Sequence, residues 1–167
     1  MKLTFYKYQG TGNDFIMIDN RDRILSKNDT KLVNRLCDRK FGIGADGLIL
    51  LENSENIQDD FKMVYFNADG NESSMCGNGG RCLVAFAQFL GIINESARFT
   101  AIDGIHDATI QEGLVSLKMQ DVDNVLVEKD FLFLDTGSPH HVIFTDNIND
   151  IDIDMAVLKY FVTVVLL

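Results

Sequence analysis

Residues 75–91 read MCGNGGRCLVAFAQFLG, and this stretch decides the fold of the chain. From Cys82 to Leu90 the residues are apolar nearly all round, a pattern that predicts a helix buried on every side. Gly91 suits the left-handed backbone position that follows many helices. The glycine-rich residues before Cys82 predict a turn that opens the helix. A helix of this kind needs packing partners all round, so we expect it at the centre of its domain.

Short strand patterns lie on both sides of this helix in the sequence. Leu3–Tyr8 and Phe15–Asp19 flank a glycine-rich turn, which predicts a hairpin or a tight β-arch. A helix is predicted over Thr30–Arg39, capped by Ser26 or Asn28. Further strands are predicted at 48–51, 61–66, 131–134 and 142–144, with a second hairpin at 110–115. The class is therefore α+β, with many short strands wrapped around a few helices, one of them central.

Composition restricts the classes of function. The chain has 167 residues, with 15 Lys and Arg against 25 Asp and Glu, and a net charge of −10. No basic stripe is available to neutralise phosphates, which argues against a nucleic-acid partner. The apolar run Met155–Leu167 is shorter than the roughly 20 residues that span a bilayer, which argues against a membrane role. Three cysteines and an N-terminus without an apolar signal region favour a reducing compartment, the cytoplasm.

Cys76 is the strongest candidate for a reactive group. It lies just before the predicted buried helix, where the positive end of the helix dipole favours a thiolate. Gly77, Gly79 and Gly80 would let the backbone approach a ligand closely, and successive N–H groups can hold a carboxylate. Asn78, in the same loop, adds neutral donors and acceptors. The alternative is that Cys76 is a small apolar residue beside an ordinary turn.

The remaining metal and cofactor signals are weak. Cys37 and Cys82 lie on apolar helix faces, so we expect both to be structural. No CxxC or HxxxH spacing is present, and the acidic stretch 146–154 lacks the glycine and closing Glu of a calcium loop. The loops at 10–12 and 42–44 are neither P-loops nor GxGxxG motifs. We therefore expect no metal and no nucleotide cofactor.

His140 is a second candidate for chemistry. It follows Pro139 in a stretch, 135–141, that is predicted to be a loop. A histidine near a cysteine can tune the thiol or relay a proton. With Cys76 it would form the pair of a thiol hydrolase, although a loop histidine is also common as plain polar surface.

Five motifs follow one another along the chain. They are Gly10-Thr11-Gly12-Asn13-Asp14-Phe15, Gly42-Ile43-Gly44-Ala45-Asp46-Gly47, Phe66-Asn67-Ala68-Asp69-Gly70, Met75-Cys76-Gly77-Asn78-Gly79-Gly80-Arg81-Cys82 and Thr136-Gly137-Ser138-Pro139-His140. In order and spacing they closely resemble the motifs of the diaminopimelate epimerase family. The resemblance covers about residues 3–152.

The resemblance implies an amino-acid epimerase that works without pyridoxal phosphate or another cofactor and interconverts LL- and meso-diaminopimelate. It implies two pseudo-symmetric α+β domains, each a mixed β-sheet wrapped around a central buried helix, with the substrate between them and the second domain incomplete here. One cysteine thiolate removes the α-proton and a cysteine from the other domain protonates the opposite face. We expect a first domain at 1–118 with the catalytic cysteine loop and part of a second domain at 119–167. A homodimer is left open.

The resemblance also assigns roles by position. It implies that Cys76 is one catalytic cysteine and that His140 modulates the acidity of the cysteines. The substrate-binding positions would be Asn13, Asn67, Gly77, Asn78 and Ser138. Two positions depart from the family pattern, since Ser138 stands where many members carry Asn and Gly47 where some carry Gln. Both variants are expected to be tolerated.

One expectation concerns completeness. The family's second cysteine loop does not match any part of the sequence, and the resemblance fades before the apolar run Met155–Leu167. We expect a truncated or frame-shifted product that lacks one of two acid/base groups and cannot epimerise alone. Two other classes stay open: a vestigial domain that binds an amino-acid carboxylate without catalysis, and the thiol hydrolase.

Overall fold

The computed structural model describes residues 2–147 and the backbone of the strand Phe161–Leu166. Its contacts divide the chain into two compact units, Met1–Lys118 and Met119–Leu167, which are described separately. The candidate strands and helices of the sequence are found in both units, with the bounds given below.

The first unit contains seven strands and two helices. They are β1 Tyr6–Gly10, β2 Asn13–Asp19, α1 Thr30–Cys37, β3 Gly47–Glu52, β4 Phe61–Asn67, α2 Gly77–Phe89, β5 Ser96–Ala101, β6 Gly104–Gln111 and β7 Leu114–Leu117. The strands form one sheet in sequence order, β1 to β7. Only the β2–β3 and β4–β5 neighbours among them are parallel. Parallel neighbours need a crossover, and here each crossover contains one of the helices.

The sheet wraps around α2. This helix contacts both edge strands, β1 and β7, and also β2, β3, β4 and β6. A helix can reach both edges of a seven-stranded sheet only if the sheet is strongly curved. The predicted arrangement, a mixed sheet around a central helix, is confirmed.

The helix α1 covers the other face of β2 and β3. Val33 and Cys37 pack there against Ile16, Ile18 and Leu48. Because both faces of these two strands are covered, their apolar residues form continuous runs and do not alternate with polar ones.

Helix boundaries differ from the sequence expectations. The N-cap of α1 is Asp29, which accepts a hydrogen bond from the Leu32 N–H at 3.1 Å, so the predicted caps Ser26 and Asn28 are wrong. Helix α2 begins at Gly77 with Cys76 as its N-cap, and does not begin at Cys82. The glycines therefore belong to the first turns of the helix.

The far end of α2 is less buried than its pattern predicted. Phe89 is 64% exposed, so the helix is not enclosed on every side in its last turn. Gly91 follows with φ of +70°, which confirms the predicted left-handed position. The strand that follows Gly91, β5 at Ser96–Ala101, was not predicted from the sequence.

The second unit has four strands, β8 Val125–Val127, β9 Leu132–Asp135, β10 Pro139–Thr145 and β11 Phe161–Leu166. Their order is β11-β10-β9-β8, with β10 and β11 parallel. His140 lies within β10 and not in a loop, because the turn between β9 and β10 is only three residues long. The acidic stretch beyond Asn147 and the first half of the apolar run lie outside the described residues.

Candidate functional site

The turn of the β1–β2 hairpin lies against the first turn of α2. A Cβ atom on Gly10 would be 3.3 Å from the Asn78 carbonyl oxygen and 3.4 Å from the Cys82 sulfur. The Thr11 hydroxyl lies 3.1 Å from Asn78 Oδ1 and donates to it. The hairpin turn and the helix N-terminus therefore form one site, although they are more than 60 residues apart in sequence.

Cys76 faces an asparagine of that hairpin. Its side chain is half-buried, and no side-chain hydrogen bond caps the helix there. The Cys76 thiol donates to Asn13 Oδ1, with a sulfur–oxygen distance of 3.7 Å. The Cys76 carbonyl accepts the Gly80 N–H at 2.8 Å, which anchors the cysteine at the start of the helix. Two of the predicted site residues, Cys76 and Asn13, are therefore in contact.

A network of charged side chains holds Asn13. The Asn13 amide donates to Asp46 Oδ2 at 2.8 Å. Arg39 binds Asp46 Oδ1 and Asp14 Oδ1, each at 2.7 Å, and Lys7 binds Asp14 Oδ2 at 2.7 Å. The hydrogen bond from Asn13, together with those from the Asp14 N–H and Arg39, lowers the pKa of Asp46 below its ordinary value. Asp46 therefore stays ionised and accepts hydrogen bonds only.

Asn67 is held by a tyrosine two residues before it. The Tyr65 hydroxyl donates to Asn67 Oδ1 at 2.9 Å. Burial raises the pKa of Tyr65 to about 12, with a smaller contribution from the neighbouring Cys76. The phenol therefore remains a hydrogen-bond donor over the physiological pH range.

Gly47 makes room for Tyr65. A Cβ atom at residue 47 would lie 2.6 Å from Tyr65 Cε2 and 2.6 Å from the Phe66 carbonyl oxygen. The position therefore excludes any side chain while Tyr65 occupies this place. This contact gives a physical reason for glycine at position 47, where the family resemblance also allows Gln.

Two of the glycines before Cys82 have a packing role. A Cβ on Gly79 would lie 2.8 Å from Ile49 Cδ1, and one on Gly80 would lie 2.7 Å from Met75 Cε. Both glycines are buried and bring the helix close to the sheet, while their approach to a ligand stays a prediction. Gly77 is half-buried, at the open end of the helix.

Asn78 uses its side chain within the protein. Its Oδ1 accepts from Thr11 and also from the Arg81 guanidinium. The N–H groups of Gly77, Asn78 and Gly79 precede the first helical hydrogen bond, which is made by Gly80. Asn78 therefore offers a ligand its backbone N–H, and its side-chain oxygen fixes the hairpin.

The other two cysteines are buried, as expected. Cys37 is 2% and Cys82 5% exposed. Burial raises the pKa of each thiol to about 11, so both are neutral at physiological pH. Cys76 is the half-buried cysteine of the three.

Ser138 and His140 belong to the second unit. The Ser138 carbonyl accepts the Thr136 N–H at 3.1 Å in the β9–β10 turn, where Gly137 has φ of +98°. His140 pairs with Leu134 of β9 and Phe161 of β11 in the sheet register. The first unit thus contains Cys76 in contact with Asn13, Gly77 and Asn78 next in the chain, and Asn67 held by Tyr65, whereas Ser138 and His140 lie in the β9–β10 part of the second unit.

Sequence reasoning did not single out Asp46, Arg39 or Tyr65 as site residues. Asp46 and Tyr65 stand within or beside the quoted motifs, which was the available signal.

Within residues 2–147, no three His, Cys, Asp or Glu side chains converge as metal ligands would. In the same part of the chain, neither helix is long and apolar enough to cross a membrane.

Solved structures identify the class of fold. A PhzF-family phenazine biosynthesis protein of Bacillus anthracis superposes with a TM-score of 0.68 at 16% identity, covering 89% of this chain and 58% of its own. A hydroxyproline epimerase of Agrobacterium vitis superposes with a TM-score of 0.58 at 11% identity, covering 83% of this chain and 50% of its own. The chain therefore has the α+β fold of these proteins.

Sequence comparison gives the family. The diaminopimelate epimerase family model matches residues 5–128, and the chain belongs to this family. The diaminopimelate epimerase of Flavobacterium psychrophilum is 62% identical over 154 residues, which cover 92% of this chain and 59% of the relative. That of Aquifex aeolicus is 36% identical, covering 90% of this chain and 60% of the relative. The chain thus spans about three fifths of the length of these relatives.

Proposed function

We propose that this chain carries one face of an epimerase site for diaminopimelate, with Cys76 as the acid/base group of that face. The observation behind this proposal is the placement of a half-buried thiol at the N-terminus of α2, in contact with Asn13. Membership of the diaminopimelate epimerase family supports the choice of substrate.

The proposed chemistry is proton transfer at the α-carbon. The Cys76 thiolate takes the α-proton and becomes a thiol, and a second acid on the opposite face gives its proton to the carbanion. No cofactor takes part, so the negative charge must be stabilised by hydrogen-bond donors. The N–H groups of Gly77 and Asn78 at the helix N-terminus are suited to the substrate carboxylate. Asn13, Asn67 and Ser138 are proposed to bind the amino-acid group.

The second acid is not another cysteine of this chain. Cys37 and Cys82 are buried and have pKa values of about 11. We therefore propose that these 167 residues by themselves bind diaminopimelate without inverting it. His140 is proposed to modulate the acidity of the thiol, and the three unpaired cysteines suit a reducing cytoplasm.

Substrate protection of Cys76 tests the proposal. The chain is alkylated with iodoacetamide and the modified cysteines are identified by peptide mass mapping. We expect LL-diaminopimelate to slow alkylation of Cys76 in a saturable way, whereas L-lysine, which lacks the distal carboxylate, protects less. Equal protection by both, or by neither, contradicts the assignment of substrate.

Two activity measurements separate the proposed reaction from plain binding. The α-proton of diaminopimelate is followed by NMR in D₂O, and LL-to-meso conversion is followed by a coupled assay. Binding without inversion is the expected result. Robust inversion by the purified chain would contradict the statement that these residues supply one acid/base group only.

The thiol hydrolase has no specific observation in its favour. Cys76 and His140 belong to different units of the chain, and the contact that Cys76 makes within its own unit is to an amide oxygen. A chromogenic ester that gives an acyl-enzyme burst would favour this class.

A further inference from the structure

The amide of Asn13 has a defined orientation. Its Nδ2 donates to Asp46 Oδ2 at 2.8 Å, and its Oδ1 lies 3.7 Å from the Cys76 sulfur. A carboxylate only accepts hydrogen bonds, so it attracts the NH₂ end of the amide and turns the oxygen toward the thiol. Rotation of the amide by half a turn would place two oxygens against each other at Asp46.

Asp46 is itself fixed on several sides. Its Oδ2 also accepts the Asp14 N–H at 3.1 Å, and its Oδ1 accepts from Arg39 at 2.7 Å. The Asp46 N–H in turn donates to the Asp14 carbonyl oxygen at 3.0 Å. These contacts hold the carboxylate in place independently of Asn13.

The orientation of Asn13 determines whether its amide presents an acceptor or a donor to the Cys76 sulfur. An amide oxygen near sulfur accepts from the thiol and disfavours the thiolate, whereas an amide NH₂ would donate to the thiolate and favour it. The dipole of α2 acts in the opposite direction, toward the thiolate.

We propose that Asp46 is a positioning residue that orients the Asn13 amide so that Cys76 rests as a hydrogen-bonded thiol. The resting Cys76 is then a proton donor on its face of the site. When the substrate takes over the Asn13 oxygen, the thiol loses this hydrogen bond and can give its proton to solvent water, which leaves a thiolate base. This proposal deepens the proposed function and rests on it for its meaning, but the contact can be measured without any substrate.

The test is the alkylation rate of Cys76 in the purified chain. The rate near pH 7 depends on the thiolate fraction, and the plateau rate near pH 10 depends on access to the sulfur. For Asp46→Asn we expect the rate near pH 7 to rise about fivefold, the factor that one ordinary hydrogen bond contributes, with an unchanged plateau. For Asn13→Ala we expect the same change.

The double variant separates positioning from charge. If Asp46 acts through Asn13, the variant with both substitutions is alkylated no faster than Asn13→Ala alone. Asp14→Asn is the matched control, since it removes a carboxylate of the same network that does not bind the Asn13 side chain. We expect less than about a twofold change for this control.

Other outcomes overturn the proposal. A rate increase in Asp14→Asn equal to that in Asp46→Asn, or additive effects in the double variant, would mean that charge alone acts on Cys76. An unchanged rate in Asp46→Asn would mean that the amide keeps its orientation without the carboxylate. Labelling of the buried Cys37 or Cys82 in Asp46→Asn would show that this variant unfolds. The alkylation rate of Asn13→Ala, which leaves the Asp46–Arg39 pair intact, would then be the deciding measurement. Failure of diaminopimelate to protect Cys76 would refute the proposed function and leave this result unaffected.

Discussion

Helix α2 carries two thiols six residues apart, and they lie in opposite environments. Cys76 caps the N-terminus, is half-buried and contacts the polar side chain of Asn13. Cys82 is enclosed in the helix body and packs against Gly10. The same residue type therefore has a proposed chemical role at one position and a packing role at the other. The difference arises from what faces the helix, since the hairpin turn presents polar atoms to one sulfur and a backbone glycine to the other.

Exchanging the two thiols for alanine gives the largest expected contrast. Cys76→Ala removes the proposed general base. In a preparation that exchanges the α-proton of diaminopimelate with D₂O, the variant should slow this exchange by at least about 100-fold. Its free energy of unfolding should change by less than about 0.5 kcal/mol. Cys82→Ala should keep the exchange and cost about 1–2 kcal/mol, because it leaves a small cavity. Urea unfolding measures the stability of each variant, and NMR in D₂O measures the exchange of the α-proton. A large loss of stability in Cys76→Ala would contradict the contrast.

A methyl group added in the first turn of α2 should lower the free energy of unfolding. Gly79→Ala places a methyl group 2.8 Å from Ile49 Cδ1, and we expect a loss of about 2 kcal/mol in the free energy of unfolding. Gly91→Ala is the matched control, since beyond the adjacent residues nothing lies within 4 Å of its Cβ position, and the alanine meets only the strain of a φ of +70°. There we expect about 1 kcal/mol. The prediction fails if thermal unfolding ranks the two variants in the reverse order.

The stability of the protein should fall at alkaline pH partly because the buried Cys82 thiol titrates. Burial raises the pKa of Cys82 from 9.0 to about 11, so its contribution to stability is complete below about pH 9 and is lost as the pH rises toward 11. Cys82→Ala should therefore lose less stability than the wild type between these values. Val84→Ala, a buried and non-titrating change on the same helix, should follow the wild-type slope in urea unfolding at each pH. Parallel slopes for all three proteins would refute this assignment.

The smallest expected effect concerns Asn67. Tyr65→Phe removes the hydrogen bond to Asn67 Oδ1, and we expect about fivefold weaker protection of Cys76 by diaminopimelate. Tyr8→Phe, on β1 and packed against Phe86, serves as the control and should leave protection unchanged. Equal losses in both variants would show a general effect on the sheet.

Local signals predicted the parts of the fold that local chemistry determines. The glycine-rich turn at Thr11-Gly12, the Gly91 cap and the apolar run of α2 could be predicted because each depends on neighbouring residues. The strand β5 was missed because two of its three buried residues are Ala97 and Ala101, which are too small to give a clear alternating pattern.

The supporting contacts of the site could not be read in the same way. Asp46 lies 33 residues from Asn13, and Cys76 lies 63 residues from it. Such contacts depend on how the sheet curves around α2. The resemblance to a family gave the positions that would touch a substrate, but it did not give the residues that orient them.

The enclosure of α2 by the sheet has a consequence for how the molecule folds. The helix contacts β1 at the start of the unit and β7 at its end, so its surroundings are complete only after some 110 residues have paired. Contacts of such long sequence separation form late and slowly. The contact between the Cys76 thiol and the Asn13 oxygen joins residues 63 apart, so we expect it to form after the local β1–β2 hairpin.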